Sequence, residues 1–81
     1  MYPAIIRVIP SGDFTLAVTF DNGREGVLDM KPYLNRGIFK AIATYEDFKR
    51  VRIAFDAIAW DGGPDLDPWF VYSHCLIVSN A

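Results

Sequence analysis

The chain has a single cysteine, Cys75, and a single histidine, His74. One thiol forms no internal disulfide, which suits a reducing compartment. The two residues are neighbours, so on a helix they diverge by about 100° and on a strand they face opposite ways. Neither geometry makes a nucleophile–base pair. No apolar run approaches the ~20 residues that cross a bilayer. Met1-Tyr2-Pro3-Ala4 lacks the basic stretch and apolar segment of a secretory signal, so a cytoplasmic protein away from membranes is expected. There is no basic excess either, the formal net charge being −2. A protein that grips nucleic acid through phosphates needs a basic field, so nucleic acid is not an expected partner of this domain alone. Lys31, Arg36, Lys40, Lys49, Arg50 and Arg52 do fall in one third of the chain. They read as a solvated face, with a DNA-associated regulator as an alternative. No Gly-x-Gly-x-x-Gly, phosphate loop, repeat or low-complexity segment is present, so no cofactor is expected.

What is present is a core. With 81 residues there is room for one domain, residues 1–81, which buries roughly 60–65% of its unfolded surface. Apolar residues make up 52% and aromatics 15%, which excludes a disordered chain. Ala4 to Ile9 reads as a strand interrupted by Arg7. After a Pro10–Asp13 turn, Phe14, Leu16, Val18 and Phe20 alternate with Thr15, Ala17 and Thr19, the period of a half-buried strand. Asn22-Gly23 marks a hairpin turn whose central residues tolerate positive φ. Arg24 to Asp29 completes an antiparallel meander.

The period then turns helical. Asp29 caps a turn over Lys31 to Leu34, and Gly37 breaks it. Ile38, Phe39 and Ile42 recur at helical spacing. Thr44 and Asp47 resemble a capping box for a helix reaching Arg50, with Phe48 inward. Val51 to Phe55 reads as a strand with Val51, Ile53 and Phe55 on one face, and Ala57 to Trp60 returns beside it. Phe14, Phe20, Phe39, Phe48 and Phe55 are all expected in the core. Asp67 and Pro68 read as the N-cap and first residue of a helix to about Ser73. Leu76 to Val78 fits a last strand or a frayed tail equally well. The expected fold is α+β, an antiparallel sheet of about five short strands with short helices on one side.

The order of these motifs resembles the small bacterial family of unknown function DUF2442. Phe20, Gly23, Asp29, Gly37, Ile38, Phe39, Phe48, Trp60, Gly63, Asp65, Leu66, Pro68 and Tyr72 carry the resemblance. It spans about Ala4 to Tyr72, and its specificity lies in the ordered set. It implies a single α+β domain without an established activity. Some members are encoded beside small proteins of a toxin class, which implies an antitoxin-like or partner-binding role. Others carry an added helix-turn-helix domain, for which this chain is too short. The chain departs from the pattern after Pro68, where Trp69-Phe70-Val71-Tyr72 replaces the usual Glu-Thr-Leu-Tyr. Asp61 stands where the family more often has Pro, and Asp67 takes a small residue's place.

Function centres on the stretch Trp60 to Trp69. Asp61, Asp65 and Asp67 invite a metal-dependent or acid/base enzyme reading, yet their spacing misses the EF-hand frame and no acidic residue follows. Turn bonding and helix capping explain the same aspartates more simply. Trp60 is expected to close the core. A short terminal helix cannot bury Trp69, Phe70 and Tyr72 together, so one face meets solvent or another chain. The leading reading is a non-enzymatic protein-interaction module, using Asp61, Asp65, Trp69, Phe70 and Tyr72. Its expected partner is a neighbouring small protein or a second copy in a homodimer.

Overall fold

Leu16, Val18 and Phe20 are buried at every second position, because successive side chains of a strand leave opposite faces. A computed structural model describes residues 3–80. It places these residues in β2 (Thr15–Phe20), between β1 (Ile5–Pro10) and β3 (Arg24–Asp29). Val8 stands opposite Val18, Leu28 opposite Leu16, and Gly26 opposite Val18. The expected meander therefore forms, with an apolar face buried in the core.

Its turns differ from expectation. Gly23 alone has positive φ (87°), while Asn22 does not. The Gly23 N–H donates to the Phe20 carbonyl at 3.0 Å, so the loop is a three-residue turn ended by a left-handed residue. The Asn22 side chain accepts from Arg24 N at 3.0 Å. A similar loop joins β1 to β2, with Phe14 in the left-handed position at φ 63°. Phe14 therefore lies in the turn. Its ring still packs inward, 5.2 Å from Phe48 and 6.1 Å from Tyr45.

Two 3-10 segments follow, Lys31–Tyr33 and Gly37–Ile42. The first starts where Asp29 Oδ1 accepts from Lys31 N at 3.0 Å. In the second, three residues per turn put Phe39 and Ile42 on one side. Ile38 is left exposed, off the face the helical spacing gave it. Helix α1 (Tyr45–Phe48) ends before Arg50. The expected capping box does not close, because the Thr44 hydroxyl donates to the Asp47 carboxylate at 3.0 Å. The Thr44 carbonyl instead accepts from Asp47 and Phe48 N–H.

Strands β4 (Arg52–Ala54), β5 (Ala57–Ala59) and β6 (Asp65–Leu66) form a second antiparallel sheet. Ile53, Ile58 and Leu66 align across it. Phe55 does not join them. It occupies the two-residue turn between β4 and β5 with φ 53°, beside Asp56 at 65°, and it is 100% exposed. Strand alternation stops one residue too early to turn its ring inward. Helix α2 (Pro68–His74) leads into β7 (Leu76–Asn80), which pairs with β3, so this segment is a strand. The strand lies close. A Cβ built on Gly26 would sit 2.7 Å from Cys75 Sγ and 3.2 Å from the Leu76 carbonyl oxygen.

The fold is thus α+β with antiparallel sheets and short helices. Among the described residues the strands number seven, in sheets ordered β1-β2-β3-β7 and β4-β5-β6. One core joins them, including Phe20, Met30, Ile42, Phe48, Ile58 and Val71. Trp60 closes it at 3% exposure, its indole N–H donating to the Phe48 carbonyl at 2.8 Å. Among the described residues no helix is long and apolar enough to cross a membrane.

Candidate interaction surface

Helix α2 begins on the expected signal. Asp67 Oδ1 accepts from Phe70 N at 2.7 Å, and Pro68 occupies the first turn. The cap satisfies a backbone N–H that has no partner within the helix. Val71 then points into the core, which places Phe70 and His74, four residues apart, together on another face. Their rings stack at 4.2 Å with 19° between planes. Trp69 sits edge-on to His74 at 6.3 Å and is 46% exposed.

The stack continues beyond the helix. Tyr33, from the first 3-10 segment, meets Phe70 edge-on at 5.7 Å, and Phe39 lies 6.1 Å from Tyr33. Among the described residues five rings thus form a continuous band, Phe39–Tyr33–Phe70–His74–Trp69. His74 Nδ1 lies 2.8 Å from the Phe70 carbonyl oxygen. A carbonyl only accepts, so Nδ1 carries the proton, and in the neutral ring Nε2 is left as an acceptor. Tyr72 is turned away from the band. Its ring packs at 90° on Phe20, centroids 4.9 Å apart, and its hydroxyl accepts from Arg24 Nη1 at 3.0 Å. Tyr33, Phe39 and His74 were not among the residues expected at an interaction surface, Phe39 being expected in the core. The four-residue spacing of Phe70 and His74 was the available signal.

The aspartates do not converge. Asp61 accepts from Arg52 Nε at 2.8 Å. Asp65 is exposed in β6, opposite Ala59. Asp67 is occupied by the cap. Among the described residues no group of three His, Cys, Asp or Glu is placed to hold a metal. Asp61 and Trp60 border a recess of about 100 Å³, shared with Ile42, Asp47, Arg50 and Gly63. Small-molecule sites usually occupy about 300–1,000 Å³. Three cations of the basic third face carboxylates, Lys31 on Asp29, Lys49 on Glu46 and Arg52 on Asp61. Cys75 is half-buried behind α2, and burial pushes its thiol pKa up. A thiol held protonated is a poor nucleophile.

The family model described as "Protein of unknown function (DUF2442)" matches residues 5–75. No curated protein and no solved structure gives a match. The matched span runs from the first strand to the end of the helix that carries the aromatic band, and the chain belongs to the DUF2442 family.

Proposed function

We propose that the chain is a non-enzymatic protein-interaction module, an antitoxin-like partner of a small protein encoded beside it. The observation that carries this reading is the aromatic band that includes Trp69, which is 46% exposed. Tryptophan and tyrosine bring large contact area at small entropy cost, and they dominate interface hot spots. The rings brace one another, so little side-chain ordering remains to be done on binding. Asp65, exposed in β6, supplies negative charge for a basic rim on the partner. Asp61 contributes less, because Arg52 already faces it.

Co-expression with the product of the adjacent gene, with an affinity tag on one chain only, tests the reading. Co-elution of the two chains is the expected result. Trp69→Ala should weaken the complex at least about tenfold, the effect of losing one hot-spot aromatic. Failure of the two chains to co-elute at any salt concentration would overturn the reading.

A further inference from the structure

The band lies on the helical side of the four-stranded sheet. The opposite face of that sheet carries a second pattern, visible only once strand register is known. Residues paired across neighbouring strands share a face. Ile9 is opposite Ala17, Ala17 opposite Val27, and Val27 opposite Leu76. These four residues make one apolar row that crosses the sheet from edge to edge. It points away from the core, whose residues alternate with it along each strand. Ile9 is 48% and Leu76 72% exposed, and Ala17 is exposed as well. The next row outward is polar. Arg7 is opposite Thr19, and Thr19 opposite Glu25. Arg7 and Glu25 are exposed and form no ion pair with any described residue.

We infer that this face is the contact between two copies of the chain, related by a two-fold axis that runs parallel to the strands over β2. The charge pattern selects a second copy as the occupant. Arg7 and Glu25 flank Thr19 on either side, each about one strand spacing away. A two-fold axis over β2 exchanges the β1 side with the β3 side. Each Arg7 then faces the partner's Glu25, so both unpaired charges find opposites in one operation. In the next row the same axis sets Ile9 on the partner's Val27 and Ala17 on the partner's Ala17. A small residue on the axis lets the sheets approach to the usual ~10 Å. Self-complementarity of this kind is what an isologous interface requires.

The area sets the strength. With the axis over β2, strands β1 to β3 overlap the partner and β7 overhangs, so three strands at about 4.8 Å and six residues at about 3.3 Å give a footprint of about 300 Å² per copy. Side-chain relief raises the surface removed from water to roughly 700 Å² for both copies, below the range of stable interfaces and in that of weak, transient ones. The dimer is therefore weak and populated only at high concentration.

Sedimentation velocity of the whole chain from about 5 to 500 µM tests the inference. The wild type should shift from monomer to dimer over that range. Arg7→Glu should stay monomeric throughout, and so should Glu25→Arg, because each sets like charges together twice. An equimolar mixture of the two variants should dimerise again, since every contact between them is then opposite in sign. Both positions are exposed, and circular dichroism should show each variant folded. A wild type that remains monomeric overturns the inference and leaves the face to another protein. A dimer indifferent to both substitutions places the contact elsewhere and also overturns it. Monomeric variants that fail to rescue each other reject the two-fold pairing.

Discussion

Phe55 and Asp56 both occupy the left-handed region, where a side chain with a Cβ costs about 1–2 kcal/mol. Asn and Gly are the residues such a turn favours. The Phe55 ring gains nothing in return, because it is wholly exposed. Phe55→Asn should therefore raise the melting temperature, by about 4–8 °C for each kcal/mol of strain relieved. Thermal denaturation followed by circular dichroism measures it, and no rise would mean that the turn is not strained. Two surface aspartates make a separate prediction. The Lys31 backbone N–H, then its side chain, hold the Asp29 pKa below its usual value, and the Thr15 hydroxyl does the same for Asp13. Both folded values lie below the unfolded ones. Their contribution is thus complete above the ordinary carboxylate pKa and is lost as pH falls through the depressed values. Asp29→Asn should flatten the decline of melting temperature below about pH 4. At this scale the sequence was legible where one residue dictates its own surroundings, as with buried Trp60. It misled at Phe55, whose apolar character pointed inward while its place in a two-residue turn pointed it out.

Helix α2 was legible because its signals are local. Asp67, Pro68 and the apolar Val71 specify start and buried face within a few residues. Asp67→Ala should cost about 1 kcal/mol and loosen the aromatic band with the helix. Near-ultraviolet circular dichroism would report the loosening as lost Trp69 and Tyr33 signal. Strand β7 was not legible, because its place depends on a contact remote in sequence. Gly26 leaves the space that Cys75 and the Leu76 backbone occupy. Gly26→Ala should push β7 off β3 at a cost of about 1–3 kcal/mol. The displaced Cys75 should then react faster with a thiol reagent than in the wild type. An unchanged rate would show that β7 yields without opening. The division into two sheets escaped the sequence for a related reason. Strands as short as Asp65–Leu66 carry too few residues for a periodicity.

The whole molecule has two faces of different character. The helical side presents the ring band, and the far side of the four-stranded sheet presents the Ile9-to-Leu76 row. The fold class and the meander could be read from alternation and turn residues. The Trp60-to-Trp69 stretch, on which the sequence centres function, divides in space. Trp60 is core, Asp67 is a cap, and Trp69 belongs to the band. The rest of the band, Tyr33 and Phe39, comes from segments more than 25 residues upstream, a distance that local spacing does not bridge. This band, with the exposed Trp69, is the proposed binding surface. Calorimetric titration of the neighbouring gene's product with wild type and with folded Trp69→Ala tests it most directly. Saturable heat is expected from the wild type and at least about tenfold weaker binding by the variant. Equal affinities for the two, or no heat from the wild type, would contradict it.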